Sequence, residues 1–384
     1  MSENTAPHLA PKERCTGCGA CANGCPKGAI HRLPDREGFL YPTVTDACIR
    51  CGHCSHICPV LKQREKRHEP TAFAAWNGDD AVRSQSGAGG VFSLLAEFIL
   101  DDGGIVFGAA VDDDLRVRHI AVQDKSQLHR LRGSKLVQSD IGDSFQRVRH
   151  YLDRDRHVLF TGTPCQVDGL YRYLGEHPEK LLTCDILCSG VPSPGVWANL
   201  VRSMAYIKQK KPVAVQFCGK LQGEKTRRFR VEFEDGSAYD APFPKSELGQ
   251  GLRRKLFLRP ACHNCPYTNT DRVGDLSLGN YRGLPKDHLP TEQEKGISLL
   301  LINSAKGAHI FDTLPLKKEK RALAEAAAAN AALSAPHEKG ADREAFFEAF
   351  ALQPFQQVRT RFLAGESPVR RISRLKNLFR KKER

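Results

Sequence analysis

The sequence contains no apolar run long enough to cross a membrane. The longest candidate, Val91 to Leu100, is interrupted by Ser93 and Glu97, whereas a spanning helix needs roughly 20 consecutive apolar residues. Residues 1–11 also lack the basic start and apolar middle of a secretory signal peptide. These absences argue against a membrane-spanning or exported protein, and we expect a cytoplasmic one.

Common nucleotide-binding and nucleophile motifs are also absent. No G-x-G-x-x-G follows a predicted strand, no G-x-x-x-x-G-K-S/T occurs, and no Ser/His/Asp or Cys/His arrangement is evident. The glycine-rich segment Ser86-Gly87-Ala88-Gly89-Gly90 opens a predicted helix, where free N–H groups can bind a phosphate. A simple tight turn would explain the same glycines.

Cysteine, by contrast, is abundant, with 14 among 384 residues. Cysteine thiols stay reduced in the cytoplasm and seldom form disulfides there, so clustered cysteines indicate metal ligands or redox groups. Eight of them form two runs of the pattern C-x2-C-x2-C-x3-C-P, namely Cys15, Cys18, Cys21 and Cys25 before Pro26, and Cys48, Cys51, Cys54 and Cys58 before Pro59. This pattern is typical of bacterial ferredoxins with two 4Fe–4S clusters.

In such a module three thiolates of one run hold a cluster, and the fourth reaches the other cluster. We therefore predict that Cys15, Cys18, Cys21 and Cys58 hold one cluster, and that Cys48, Cys51, Cys54 and Cys25 hold the other. Zinc is the alternative, but it prefers two C-x2-C pairs. His53 and His56 lie inside the second run and are expected to be exposed loop residues, because the cysteine set is already complete.

The order of predicted elements indicates a ferredoxin module followed by an α/β or α+β body with a mixed sheet and C-terminal helices. The predicted organisation is a ferredoxin domain at 1–62, a linker at 63–70, two parts of the body at 71–155 and 156–320, a helical extension at 321–365 and a basic tail at 366–384. Strands are predicted at 29–33, 38–44, 73–76, 105–111, 117–122, 158–161, 181–187, 213–218, 229–233 and 297–302, and helices at 90–100, 139–152, 166–174, 194–210, 322–333 and 343–352.

Six cysteines lie outside the ferredoxin module. Cys165 and Cys188 are placed at strand ends, where functional loops gather, and Cys262 and Cys265 form a C-x2-C pair. These four either hold a third cluster or, in the case of Cys165 and Cys188, are inert buried thiols. The remaining two, Cys184 and Cys218, fall inside predicted strands and are expected in the core.

Several segments together resemble the family of coenzyme F420 hydrogenase/dehydrogenase beta subunits, in its bacterial form with a fused ferredoxin domain. The matching segments are Ser86 to Phe92, Leu131 to Ser139, Gly162 to Gln166, Cys188 to Ser193, the Cys262/Cys265 pair and Gly274 to Gly279. The segments occur in family order, and the resemblance extends over nearly the whole chain to about Leu363.

The resemblance implies an FAD-binding α/β body that passes electrons between iron–sulfur clusters and a substrate or deazaflavin. It also implies a third 4Fe–4S cluster held by Cys165, Cys188, Cys262 and Cys265. We place flavin contacts at Ser86, Gly87, Gly89, Gly90, Lys135 and Gln138. A solvated surface lysine is the alternative for Lys135.

The chain departs from the family pattern at three places. The family often has an aromatic residue where Leu136 stands and a histidine where Ser189 stands. It also often has Gly-Asp-Phe-Trp-Gly where this chain has Gly279-Asn280-Tyr281-Arg282-Gly283. The family's name is therefore not taken as this chain's substrate.

These features predict a relay from ferredoxin or another subunit, through the clusters, to FAD and a small-molecule substrate, with either direction of flow allowed. The alternatives are a non-catalytic electron-transfer subunit and a cluster-bearing sensor or scaffold. No nucleic-acid partner is expected, and a homo-oligomer is allowed. The net charge is +14, and the tail spaces Ile372, Leu375 and Phe379 among basic residues, which favours weak contact with an anionic membrane surface or a solubilising end.

Overall fold

A computed structural model describes residues 7–62, 69–219 and 227–364. In this part of the chain no helix has the length and apolar character needed to span a bilayer. Its strands are β1 (Ile30–Pro34), β2 (Leu40–Val44), β3 (Thr71–Asn77), β4 (Ile105–Val111), β5 (Val117–Val122), β6 (Val158–Gly162), β7 (Leu181–Ile186), β8 (Pro212–Gly219), β9 (Arg228–Phe233), β10 (Ala238–Pro242), β11 (Leu276–Asn280), β12 (Ser298–Ile302) and β13 (Leu316–Arg321). Its helices are α1 (Ala20–Asn23), α2 (His53–His56), α3 (Asp80–Ser84), α4 (Val91–Asp101), α5 (Ser144–Leu152), α6 (Pro164–Leu174), α7 (Pro194–Lys208), α8 (Glu247–Arg253), α9 (Pro290–Lys295), α10 (Ala305–Thr313), α11 (Leu323–Ala329), α12 (Arg343–Leu352) and α13 (Phe355–Phe362).

The two cysteine runs fold alike on either side of the antiparallel β1–β2 hairpin. Each run contains a one-turn helix, α1 or α2. The residue before each helix is a glycine with positive φ, 83° at Gly19 and 72° at Gly52. Glycine adopts this left-handed conformation without the steric cost that a Cβ imposes. The repeated glycine after the second cysteine therefore allows the same sharp turn in both runs.

The body is built on one eight-stranded sheet with the order β13-β3-β12-β11-β7-β6-β4-β5. The central pairs β4–β6, β6–β7 and β7–β11 are parallel. The β4–β5, β11–β12, β12–β3 and β3–β13 pairs are antiparallel. The mixed sheet predicted from the alternation of strands and helices is confirmed.

Successive residues of the central strands enter different hydrophobic clusters, because side chains alternate between the two faces of a sheet. Val106 and Leu159 pack in a cluster with helices α4 and α10. Phe107 and Phe160 pack in another cluster with helices α5 and α6. This second cluster also contains Cys18, Ala20 and Ile57, so the cysteine module packs on the face of the sheet that α5 and α6 cover.

The β8–β9–β10 sheet forms a further core with α7, α8, α12 and α13, and this core includes Phe39 and Tyr41 from the N-terminal hairpin. The hairpin also meets the start of α7 directly, where the Gly195 N–H donates to the Gly38 carbonyl at 3.1 Å. A Cβ on Gly38 would lie 2.5 Å from the Gly195 Cα. The N-terminal module therefore contributes side chains to two separate cores of the body.

Several elements differ from the expectations. Strands β10, β11 and β13 were not predicted, and β13 has the sequence LKKEKR because it is an edge strand, where charged side chains reach solvent. The helix expected at 139–152 begins only at Ser144, because Asp140 instead exchanges backbone hydrogen bonds with Val117 and His119 of β5. Most of the linker at 63–70 and all of the tail at 366–384 lie outside the described residues.

Candidate iron–sulfur centres and cofactor pocket

Cys15, Cys18, Cys21 and Cys58, here named the first set, line one cavity of the N-terminal module. Burial, together with the nearby thiols of Cys15 and Cys58, raises the pKa of Cys21 to about 12. The cavity wall also contains Gly17, whose φ is 71° and whose added Cβ would lie 2.8 Å from the side chains of Arg259 and Gln138. The loop can follow this path because Gly17 has no side chain.

Cys25, Cys48, Cys51 and Cys54, here named the second set, line a neighbouring cavity. The Ala29 N–H donates to the Cys25 Sγ at 3.2 Å. Cys51 is exposed, so this set lies nearer to solvent. The fourth cysteine of each run thus lies at the cavity of the other run, although Cys54 also lines the first cavity.

Cys165, Cys188, Cys262 and Cys265, here named the third set, come from three distant segments of the body. Cys165 begins α6, Cys188 follows β7, and Cys262 lies in a 3-10 turn at Pro260–Asn264 just before Cys265. Burial, with smaller contributions from the thiols of Cys265 and Cys262 and an opposing one from the Thr163 hydroxyl, raises the pKa of Cys165 to about 12. The Cys188 thiol in turn lies near those of Cys262, Cys165 and Cys265. The structure therefore brings these four thiols into one partly buried group.

Backbone and hydroxyl groups already point at the sulfurs of the third set. The Gly190 N–H donates to the Cys188 Sγ and the Val191 N–H donates to the Cys262 Sγ, both at 3.4 Å. Thr163 shares a hydrogen bond of 3.1 Å with the Cys165 Sγ. Such contacts stabilise negative charge on sulfur ligands.

The chemistry of the three sets fits iron–sulfur clusters. Thiols whose pKa burial raises, such as those of Cys21 and Cys165, stay protonated unless a metal supplies positive charge, since metal binding needs the thiolate. In the described ranges no three His, Cys, Asp or Glu side chains converge on a single-ion site. Cluster ligation is compatible with that finding, because the four thiolates of a cubane bind separate iron atoms at its corners.

The first and third sets are adjacent. Gly169 lies one turn after Cys165 in α6, and a Cβ placed on Gly169 would lie 3.0 Å from the Cys18 Cβ and 3.1 Å from the Cys18 Sγ. The thiol of Cys165 also contributes to the raised pKa of Cys18, after burial and Cys21. The three sets therefore form a continuous series in the order second, first, third.

The two remaining cysteines have different environments. Cys184 is 2% exposed and packs in the core, as expected. Cys218 is only partly buried on β8, so its placement in the core is wrong. It lies near the end of a strand of the smaller sheet, where the Arg227 guanidinium reaches its carbonyl at 3.4 Å.

The two segments expected to contact a flavin meet in the structure. A Cβ added to Gly87 would lie 3.8 Å from both the Gly133 Cα and the Ser134 Oγ. Gly90 has φ 77° and begins α4 without a side-chain cap. Ser86 and Gly89 have structural partners, since the Ser86 hydroxyl donates to a carbonyl of α3 at 2.7 Å and the Gly89 N–H donates to the Ser298 hydroxyl at 3.0 Å.

Lys135 is not a freely solvated lysine. Burial lowers its pKa to about 7, and its Nζ donates to the carbonyl oxygens of Arg132 at 2.6 Å and Gly133 at 3.4 Å. Burial is the only cause of this shift, and none of the described carboxylates contributes to it. A partly buried amine beside the glycine loop without an acidic partner fits a site for an anionic group such as a phosphate.

The Gln138 side chain lies against the first cysteine loop and Arg259. Its side-chain N–H donates to the Thr16 carbonyl at 3.0 Å, and its Oε1 accepts from Arg259 at 2.9 Å. Both ends of the amide are thus used against the first cysteine loop rather than the glycine loop. Arg259 was not predicted as a site residue; its only sequence signal is a charge that follows the apolar stretch Leu256 to Leu258.

The departure from the family pattern near residue 281 has a structural counterpart. The Tyr281 hydroxyl donates to the Glu325 carboxylate at 3.2 Å, and the same carboxylate forms an ion pair with Arg321. Burial raises the pKa of Tyr281 to about 12. Tyr281 therefore connects the end of β11 to α11.

Comparison with known proteins assigns both parts of the chain. Residues 14–63 match the model of a 4Fe-4S dicluster domain. Residues 155–327 match the model of the C-terminal region of coenzyme F420 hydrogenase/dehydrogenase beta subunits. Residues 155–327 thus form the C-terminal region typical of this family of beta subunits. In this chain that region follows a 4Fe-4S dicluster domain.

Two relatives of the chain are named as an oxidoreductase or as a subunit of one. The chain is 24% identical over 280 residues to a subunit of the F(420)H(2) dehydrogenase of Methanosarcina mazei, a match that covers 69% of this chain and 75% of that protein. It is 28% identical over 182 residues to a coenzyme F420-dependent sulfite reductase of Methanocaldococcus jannaschii, covering 44% of this chain and 27% of that protein. A chain of the F420-reducing NiFe hydrogenase complex of Methanosarcina barkeri overlaps 79% of this chain and 97% of its own length at 18% identity, with a weak TM-score of 0.42.

Proposed function

We propose that this chain relays single electrons from ferredoxin or a partner subunit, through three 4Fe–4S clusters, to FAD and a small organic or deazaflavin-type substrate. The observation that carries the proposal is the contact of Cys18 with α6 at Gly169, one turn from Cys165. This contact supports a path in which the third set receives electrons from the first. The exposed Cys51 supports entry at the second set.

In this proposal each cluster has a defined set of residues. The thiolates of the first and second sets hold the two N-terminal clusters, and the thiolates of the third set hold the inner one. The N–H groups of Ala29, Gly190 and Val191 stabilise the charge on the sulfurs they contact. Short separations between such centres favour electron transfer without any moving part.

FAD is proposed to bind where the glycine loop meets the segment that contains Lys135. The Lys135 amine and the uncapped start of α4 after Gly90 offer positive charge and free N–H groups to a pyrophosphate. A flavin accepts one or two electrons and so connects single-electron carriers to two-electron chemistry. Gln138 is left out of this proposed pocket because its amide contacts Thr16 and Arg259.

The proposed substrate class includes F420-type deazaflavins and other small organic acceptors. The M. mazei relative is named for F(420)H(2), which supports a deazaflavin. However, this chain has Asn280-Tyr281-Arg282 at the place where the family often has an acid and an indole. A different small organic acceptor is therefore part of the proposal.

A second candidate is a non-catalytic electron-transfer subunit. The observation in its favour is that the M. mazei relative is named as a subunit. Purified chain that reduces a substrate such as oxidised F420 with a low-potential electron donor, and without a second polypeptide, would contradict it. Activity that appears only on addition of a partner would support it.

Anaerobic purification followed by iron, sulfide, zinc and flavin analysis tests the cofactor content. We expect about twelve iron atoms and one FAD per chain. About eight iron atoms would remove the third cluster, and zinc in place of iron would contradict the whole proposal.

Two cysteines that are close in sequence, the partly buried Cys188 and the buried Cys184, provide a matched test of the third set. Cys188→Ser should lower the iron content by about four atoms per chain. Cys184→Ser changes the same kind of side chain four residues earlier, in the hydrophobic core, and should leave the iron content unchanged. Equal iron loss in both variants would contradict the specific role of Cys188.

A further inference from the structure

Arg259 is a fully buried cation without an acidic partner. Its side chain has no exposed surface, and no carboxylate in the described ranges forms an ion pair with it. The other fully buried arginine, Arg272, pairs with the buried Asp185 at 2.5 Å. Because burying an unpaired charge is strongly unfavourable, the fold around Arg259 requires a compensating negative charge.

The guanidinium is held by neutral groups against the first cysteine loop. Its Nε donates to the Cys15 carbonyl at 2.7 Å and its Nη2 to the Leu40 carbonyl at 3.1 Å. It lies 4.1 Å from the ring centre of Tyr41 and 5.4 Å from that of Phe39. These contacts fix its position but supply no full negative charge.

The sulfur of Cys15 is the negative group that the geometry offers. The Nη2 of Arg259 lies 3.7 Å from the Cys15 Sγ. The backbone carbonyl of Arg259 also accepts a hydrogen bond from the Cys262 N–H at 2.9 Å. Arg259 thus contacts a cysteine of the first set with its side chain and a cysteine of the third set with its backbone.

We propose that Arg259 is the buried counter-ion of the cluster held by the first set and raises the reduction potential of that cluster. This inference rests on the proposed assignment of the first set as cluster ligands. One-electron reduction of that centre adds one negative charge, breaks no bond and transfers no proton. A fixed cation at this distance in a low-dielectric interior stabilises the more negative, reduced state.

The test is a redox titration of the anaerobic full-length chain with dithionite, followed by EPR, for the wild type, Arg259→Gln, Arg259→Lys and Arg254→Gln. At a given potential, the reduced-to-oxidised ratio of one cluster should fall at least tenfold in Arg259→Gln, equivalent to about 59 mV for a one-electron couple. Arg259→Lys keeps the charge and should stay close to the wild type. Arg254→Gln is the control, because it removes an arginine that pairs with Asp342 at 2.6 Å instead of a cysteine.

The outcomes separate this inference from the proposed function. Unchanged midpoint potentials in an iron-loaded Arg259→Gln variant would overturn the counter-ion role. If Arg259→Gln loses iron, then retention of iron and potential in Arg259→Lys supports the role of the charge, and loss of iron in both variants overturns it in favour of a scaffold role. Wild-type protein that lacks the N-terminal clusters would instead contradict the proposed function itself.

Discussion

Replacing Gly169 with alanine tests the contact between the first cysteine loop and α6. In a helix interior alanine is normally about 1 kcal/mol more favourable than glycine. Here the new methyl group would lie 3.0 Å from the Cys18 Cβ and 3.1 Å from its Sγ, well inside the optimum of about 3.5–4.0 Å for carbon contacts. Overpacking of this kind costs about 1–3 kcal/mol.

The two effects oppose each other, so we expect a net loss of about 0–2 kcal/mol in the free energy of unfolding. The loss should be larger when iron is bound, because a ligated Cys18 cannot turn away from the methyl group. The iron content should therefore fall by up to about four atoms per chain. Phe145, at 3.5 Å from the same methyl position, is in ordinary contact and adds little to the cost.

Urea unfolding and iron analysis of anaerobic protein provide the measurements. Gly78→Ala is the matched control, since its added Cβ would have no neighbour closer than 3.9 Å. A Gly169→Ala protein that is stabilised by about 1 kcal/mol and keeps all its iron would refute the packing of Cys18 on α6. The proposed path from the first set to the third would then lose its support.

Three further predictions concern an ion pair, a histidine and the cysteine ligands. Asp185→Asn leaves the Arg272 charge buried without its partner at 2.5 Å and should lower the free energy of unfolding in urea by about 3–5 kcal/mol; a loss below about 1 kcal/mol would contradict the importance of the pair. Burial lowers the pKa of His119 from 6.5 to about 4. At pH values between these two pKa values the unfolded chain binds more protons than the folded chain. The free energy of unfolding should therefore fall by about 2 kcal/mol from pH 7 to pH 5. His119→Gln should reduce this pH dependence, measured by urea unfolding at both pH values, and an unchanged dependence would exclude His119 as its source. Cys58→Ser and Cys18→Ser should remove the same EPR signal, and loss of two different signals would contradict the crossed assignment of ligands.

The N-terminal module could be predicted from sequence because its information is local. The spacing of the cysteines, the glycines after Cys18 and Cys51 and the prolines after each run all act within a few residues. The structure accordingly places Cys58 at the first cavity and Cys25 at the second. The central strands β4, β6 and β7 were equally clear, because each begins with a buried apolar stretch, whereas the parallel strand β11 was missed.

The third set could not be derived from spacing alone. Cys165, Cys188 and Cys262 meet only because α6, the end of β7 and the turn after Arg259 converge in the folded chain. The same long-range dependence explains why Gln138 was expected at a flavin and lies on the cysteine loop. No local pattern reports which distant loop an amide will contact.

The N-terminal hairpin has a consequence for attempts to divide this protein. Residues 1–62 look like an independent ferredoxin, yet the fully buried Phe39 and nearly buried Tyr41 complete the core of the β8–β9–β10 layer. Excision of these residues would expose both aromatic rings on the fragment and leave a matching hollow in the remainder. Redox measurements intended for the isolated module therefore require the whole chain, and any fusion or transplant of the module must supply a new surface for these two rings.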